Sequence, residues 1–200
     1  MEIYLIRHTT PAVAKGICYG QTDLDVTDSF ESEVASIVPH LPKNIATVYS
    51  SPLQRCKKLA ESLFPQHDIQ LHDDLMELNC GDWEMQVWNE IPKPEIQPWL
   101  DDFINVQVPN GESYLEMHER VVKRFEWIAA QTKPAVVVAH GGVLRSIVAH
   151  ITNTPLKESF DVSSFNYGCV VKVSIHENNF VHEILYNVSL AGKEWHRPSL

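Results

Sequence analysis

Two histidines in this chain each stand at the end of a short apolar run. Arg7-His8-Thr9 follows Ile3-Tyr4-Leu5-Ile6, and His140-Gly141-Gly142 follows Ala135-Val136-Val137-Val138-Ala139. A neutral imidazole can attack phosphorus and form a phosphohistidine that water then hydrolyses. With an ordinary pKa of about 6.5, much of it is neutral near pH 7. Arg7 lies beside the first histidine, and Arg55 follows Ser50-Ser51-Pro52. Arginine forks match phosphate oxygens in bidentate fashion. Gly141 and Gly142 let backbone come close to a ligand. A leaving oxygen would need a proton, and the segment Leu75–Glu84 offers Glu77, Asp82 and Glu84. Position alone does not choose among these three.

For those residues to act together, the chain must bring them to one place. The pattern predicts a strand at about 2–6, a polar loop through Gly16–Gly20, and a helix near 28–41 opened by Thr27 or Asp28 as N-cap. It next predicts a strand at 46–50 and a helix from Ser51-Pro52 to about Phe64. A short strand at 69–71, a long amphipathic helix at about 112–131, a strand at 135–139 and a helix to about Ile151 follow. A terminal hairpin turns around Glu177-Asn178-Asn179. Strands alternating with helices imply an α/β protein of three layers, α/β/α, with a mostly parallel sheet covered on both faces and an antiparallel edge. In such a sheet the C-terminal strand ends converge on one crevice. Arg7, His8, Arg55 and His140 all fall at that edge, with helix N-termini adding positive potential there.

The stretch 84–111 departs from the alternation. It carries Pro92, Pro94, Pro98 and Pro109 among Val87, Trp88, Ile91, Ile96, Trp99, Leu100 and Phe103. That is too apolar for a linker, and it reads as an insertion of short helices capping the sheet edge within one domain of 1–200. Trp88 and Trp99 read as core of this cap, with a substrate platform as the alternative.

With 200 residues, 44% apolar and 21% charged, the composition is that of an ordinary globular protein. A net charge of −10 argues against nucleic-acid or membrane-surface binding, both of which want a basic face. A local arginine cluster can still take a small anion. Cys18, Cys56, Cys80 and Cys169 form no C-x-x-C pair, and no secretory leader or run of roughly 18 apolar residues is visible, so a reducing cytoplasm is expected. His67, His72 and His118 fit no compact ligand spacing, so no metal is expected. His150, His176, His182, His196 and Arg145 read as surface or packing residues, and Asp101-Asp102 as a solvated pair.

Four ordered blocks carry a resemblance. Leu5-Ile6-Arg7-His8-Thr9 resembles the R-H-G motif of the histidine phosphatase superfamily, also called phosphoglycerate mutase-like. Ser50–Cys56 is similar to its S-S-x-x-x-R-[CA] segment, Glu77 with Gly81-Asp82-Trp83-Glu84 to its E-x-x-x-G-x-W-E block, and Val138–Gly142 to its V-x-H-G-G segment. The loop Arg7–Pro11 with Gly16–Asp23 looks most like the α-ribazole phosphatases of cobalamin synthesis. The resemblance implies a phosphoglycerate mutase-like fold and His8 as nucleophile. It implies Arg7, Arg55 and His140 around the phosphoryl group, Glu77 as proton donor, Gly141 giving a backbone N–H, and Gln21 near the phosphate. It implies no cofactor. Thr9 replaces the usual glycine, Met85 stands where glycine often follows W-E, and the loop after His8 lacks the asparagine many relatives place there. Thr10 or Thr22 is the candidate substitute.

The expected activity is phosphomonoester hydrolysis, most simply of α-ribazole 5′-phosphate. A general small-metabolite phosphatase, a phosphoglycerate mutase, or a catalytically silent phosphate-binding module are the alternatives. The expected partner is a small phosphorylated metabolite, and the terminal hairpin leaves room for a homodimer.

Overall fold

In this computed structural model, which describes residues 1–162, 164–177 and 179–188, six strands form one sheet. The strands are β1 (Glu2–Arg7), β2 (Thr47–Ser50), β3 (Ile69–Leu71), β4 (Ala135–Ala139), β5 (Val170–His176) and β6 (Asn179–Tyr186), in the order β3-β2-β4-β1-β5-β6. β3, β2, β4 and β1 run parallel, while β5 pairs antiparallel to β1 and β6 antiparallel to β5. This is the expected α/β architecture with an antiparallel edge. Asn178 and His196 lie outside the described residues.

The helices are α1 (Phe30–Ile37), α2 (Gln54–Leu63), α3 (Lys93–Asp101), α4 (Tyr114–Ala130), α5 (Gly141–Thr152) and α6 (Ser159–Val162). β1 and β4 are apolar on both faces because both are covered. Ile3, Leu5, Ala135, Val137 and Ala139 pack against Val121, Phe125, Val143 and Ile147 of α4 and α5. Tyr4, Ile6, Val136 and Val138 pack against Val34, Ile37, Cys56, Leu59 and Ala60 of α1 and α2. The α4 residues Met117, Val121, Phe125 and Ile128 lie on the stripe that a 3.6-residue period turns toward the sheet. A capping box starts α4: the Glu116 N–H donates to Ser113 Oγ at 3.2 Å and the Ser113 N–H to Glu116 Oε2 at 2.8 Å.

This wrapping creates the crevice. The first helix after β1 lies on one face, and the helix after β4 lies on the other. The two adjacent strands therefore send their chains in opposite directions, which opens the sheet edge between them. The register aligns the strand ends there, with Arg7 opposite Ala139 and Ser50 opposite Val138.

Two helix starts differ from expectation. The N-cap of α1 is Ser29, with no side-chain cap; the Thr27 hydroxyl is spent on the Thr10 carbonyl at 3.4 Å and lies 2.7 Å from Ser29 Oγ, so it caps no helix N–H. Helix α2 begins at Gln54 rather than at Ser51-Pro52. The Ser51 N–H extends the sheet by donating to the Val138 carbonyl at 3.0 Å, and Leu53 is still extended. Asp23 then caps α2 from a distant loop, accepting the Gln54 N–H at 2.7 Å.

The stretch 84–111 contains α3 and a 3-10 turn at Trp88–Glu90. Trp88, Ile91, Ile96 and Val108 bury themselves with Cys18, Cys80 and Trp83, and Trp99 packs on this cluster. The Trp88 and Trp99 rings stack at 5.8 Å, so both serve this small core, while Asp101 and Asp102 are exposed.

Candidate active site

The backbone delivers the two histidines as neighbours. The His8 N–H donates to the Ala139 carbonyl at 2.9 Å, one residue before His140. The rings lie 5.1 Å apart, edge on, and both are buried. His8 Nδ1 is 2.6 Å from the Thr9 carbonyl. A carbonyl can only accept, so Nδ1 carries the hydrogen and, in the neutral ring, Nε2 carries the lone pair. That is the tautomer a nitrogen nucleophile requires.

His140 Nε2 meets Ser51 Oγ at 2.8 Å. Burial, then the positive charge of Arg55, His8 and Arg7, hold its pKa well below the ordinary histidine value. His140 is a neutral hydrogen-bonding imidazole at neutral pH. The Cys56 thiol lies 3.4 Å from the same nitrogen, but burial pushes its pKa up to about 12. It stays a thiol and is no rival nucleophile.

The two arginines are held without being neutralised. Arg55, fully buried, donates to the carbonyls of Thr22 and Gly20 at 2.8 and 2.6 Å. Arg7 donates to the Phe165 carbonyl at 2.5 Å. Among the described residues no carboxylate forms an ion pair with either. Arg7 Nε and Arg55 Nε are buried and find no acceptor there. A Cβ on Gly141 would stand 3.3 Å from Arg7 Cζ, so glycine keeps the start of α5 against the guanidinium. First-turn N–H groups such as that of Gly141 have no partner within their own helix.

The three acidic candidates separate cleanly. Asp82 is exposed and accepts from Asn110 Nδ2 at 2.8 Å. Glu84 is occupied in holding the 20–22 loop, accepting the N–H groups of Gly20, Gln21 and Thr22 and the Thr22 hydroxyl. Glu77 reaches the crevice, where Oε2 accepts the Gly142 N–H at 3.0 Å. A Cβ on Gly142 would come within 2.3 Å of Glu77 Oε1. Gln21 turns its amide to the Glu77 carbonyl at 3.1 Å, so it braces the Glu77 backbone. The Thr22 hydroxyl is taken by Glu84, while that of Thr10 is not. Thr10 Oγ1 is buried and finds no partner among the described residues, as is Thr9 Oγ1.

Sequence reasoning missed four supports. Tyr167 places its ring 4.0 Å from the Arg7 guanidinium, and Tyr19 bonds to it. Arg120, from α4, donates to the carbonyls of Asp74, Met76 and Glu77, fixing the loop that carries Glu77. Glu33, from α1, accepts the Thr10 N–H at 2.9 Å. Only Tyr19 lay inside a segment already singled out. Arg145 sets its guanidinium over the Phe160 ring at 4.2 Å. Among the described residues, no three His, Cys, Asp or Glu side chains group so as to hold a metal ion, and no helix is long and apolar enough to cross a membrane.

With this geometry in view, comparisons with known proteins give one family. The sequence pattern of the Histidine phosphatase superfamily (branch 1) matches residues 3–188. A metal-independent phosphoserine phosphatase of Arabidopsis thaliana is 32% identical over 164 residues, 76% of this chain and 68% of that protein. An adenosylcobalamin/alpha-ribazole phosphatase of Escherichia coli is 23% identical, over 88% of this chain and 91% of its own length. The structure of the alpha-ribazole phosphatase from Shigella flexneri superposes with a TM-score of 0.85 at 20% identity, covering 100% of this chain and 99% of that one.

Proposed function

Given that the chain belongs to the histidine phosphatase superfamily and is a phosphatase, we propose that it hydrolyses a small phosphomonoester through a phosphohistidine on His8. The observation that carries this reading is the pair of buried arginine Nε atoms that find no acceptor among the described residues, set around a histidine in the nucleophilic tautomer. A phosphoryl group supplies the missing acceptors. His8 Nε2 attacks phosphorus, the N–P bond forms, and the P–O bond to the alcohol breaks. The Glu77 carboxyl gives its proton to the departing oxygen. Water then attacks the phosphohistidine, Glu77 takes a proton from that water, and inorganic phosphate leaves with His8 neutral again. Arg7, Arg55, neutral His140 and the Gly141 N–H hold the equatorial oxygens, where transition-state charge accumulates.

For the substrate we infer α-ribazole 5′-phosphate. Support comes from the Arg7–Pro11 and Gly16–Asp23 loop and from the likeness to proteins named for that activity. A second reading, phosphoserine, is favoured by the higher identity to the Arabidopsis enzyme. The test is metal-free turnover of α-ribazole 5′-phosphate, phosphoserine and 3-phosphoglycerate by the wild type and by His8→Ala. We expect a clear preference for the ribazole ester, and no turnover by the variant. Preference for phosphoserine replaces the substrate assignment and leaves the chemistry intact. Undiminished turnover by His8→Ala sinks the phosphohistidine route.

A further inference from the structure

Arg7 and Arg55 come from different elements, yet one pair of side chains spans the gap between them. Tyr167, buried in the turn before β5, sets its ring 4.0 Å from the Arg7 guanidinium and 5.5 Å from the His8 ring. Its hydroxyl is 2.8 Å from that of Tyr19, whose own ring lies 5.5 Å from the Arg55 guanidinium. Backbone from the same two segments does matching work. The Phe165 carbonyl takes Arg7, and the Gly168 N–H donates to the His8 carbonyl at 3.1 Å. The carbonyls of Gly20 and Thr22, beside Tyr19, take Arg55.

The choice of residue type follows from what two converging guanidiniums need. They repel each other until an anion arrives. A carboxylate would hold them, but it would occupy the donors meant for the phosphoryl group. An aromatic face attracts a guanidinium without bringing net charge. Burial pushes the Tyr19 hydroxyl pKa up, so the link between the rings remains a neutral O–H···O bond. We propose that Tyr19 and Tyr167 form one coupled pair of positioning residues, which sets the spacing of Arg7 and Arg55 and the tilt of His8. This rests on the phosphohistidine reading above. Neither tyrosine transfers a proton or touches phosphorus in this scheme.

The experiment uses the full chain, with p-nitrophenyl phosphate as substrate and inorganic phosphate as competitive inhibitor. Tyr19→Phe and Tyr167→Phe each keep a ring and remove the shared bond. We expect each to lower kcat/KM and weaken phosphate inhibition about fivefold, the usual worth of one hydrogen bond. The double variant is expected to be no worse than either single one, because the same bond is lost only once. Tyr167→Leu also removes the ring and is expected to cost about 50-fold, mostly in kcat, since misplacement of about 1 Å can cost 10²-fold. Phenylalanine thus keeps the ring that leucine loses, and the one loss shared by the two Phe variants, together with weakened phosphate inhibition, is what a role in bulk packing alone would not show. Wild-type constants in both Phe variants, or losses that multiply in the double variant, overturn the proposal. If Tyr167→Leu does not fold, the three Phe proteins decide alone by the same criterion. His8→Ala in parallel keeps the two claims apart. An active His8→Ala removes the phosphohistidine reading, whereas a dead His8→Ala beside unaffected tyrosine variants removes only the tyrosine pair.

Discussion

Arginines occur in two settings in this molecule, and they are held in opposite ways. On α4, Arg120 pairs with Glu112 at 2.5 Å and Arg124 with Asp74 at 2.6 Å. In the crevice, Arg7 and Arg55 meet backbone carbonyls and aromatic rings. The first pair is neutralised in place and ties helix to loop. The second keeps its charge inside a protein whose net charge is −10. Burying a charge is costly unless hydrogen bonds and dipoles replace water, and carbonyls do this without cancelling the charge. A cation meant for structure is given a carboxylate, and a cation meant for a ligand is given everything except one.

The comparison is broken most directly at Arg55. Arg55→Lys keeps the charge but replaces a planar fork with a single point, which cannot span the two carbonyls and a phosphoryl oxygen together. We expect kcat/KM for p-nitrophenyl phosphate to fall by about 10²-fold or more, the scale of losing one preorganised donor to transition-state charge. Arg124→Lys, on the neutralised side, should leave it within about twofold, because lysine keeps the charge opposite Asp74 and the hydrogen-bond and ring partners of Arg124, Asp74 and Trp127, lie outside the crevice. Steady-state assays of both proteins decide the matter. Equal effects would mean that the two settings do not differ in function.

Arg120 tests the boundary between the settings. It is paired like a structural arginine, yet it also donates to the Glu77 carbonyl at 3.0 Å. Arg120→Met removes the partner of Glu112 and the shared donor of three carbonyls. We expect a stability loss of about 2–3 kcal/mol by denaturant titration, in the range for breaking a partly buried charge pair. Phosphate inhibition should be nearly unchanged, while kcat falls more for alkyl phosphates than for p-nitrophenyl phosphate, since only the poor leaving groups need Glu77 in place. Weakened phosphate inhibition would place Arg120 with Arg7 and Arg55 instead.

What was legible in the chain follows from the same physics. β1 and β4 could be read because covered parallel strands are continuous apolar runs, and their last residues had to share an edge. The register of Arg7 against Ala139 adds only the detail that His8 bonds to the residue before His140. The proton-donor candidate could not be read from spacing alone, since Glu77, Asp82 and Glu84 lie within eight positions in one loop, and only the family resemblance pointed to Glu77. Only the loop path shows that Glu84 is consumed by the 20–22 backbone and that Asp82 faces outward. Tyr167 carried no local signal, because its meaning depends on an arginine 160 positions earlier in the chain. The starts of α1 and α2 were misplaced because the Thr27 hydroxyl and the Ser51 N–H are spent on tertiary partners.

The smallest expected effect concerns pH, and it separates the crevice from the rest of the protein by charge. His140 has a folded pKa well below its unfolded value of 6.5, caused by burial and then by Arg55, His8 and Arg7. Below about pH 6.5 the unfolded chain takes up a proton at this position that the folded chain refuses, so folding loses stability as pH falls. Each such group contributes at most about 1.4 kcal/mol per pH unit until its folded pKa is reached. His72 and His118 are also lowered by burial and act in the same direction, so the total slope is shared. His140→Asn should therefore have a shallower decline in melting temperature between pH 6.5 and 5, whatever its absolute stability. Sulfate, which stays dianionic over this range, should flatten the wild-type decline by offsetting the guanidinium charge beside His140, and should do so less in Arg55→Lys. A slope unchanged by His140→Asn would show that the acid-side loss arises outside the crevice, and that its positive field is weaker than two arginines without carboxylate partners imply.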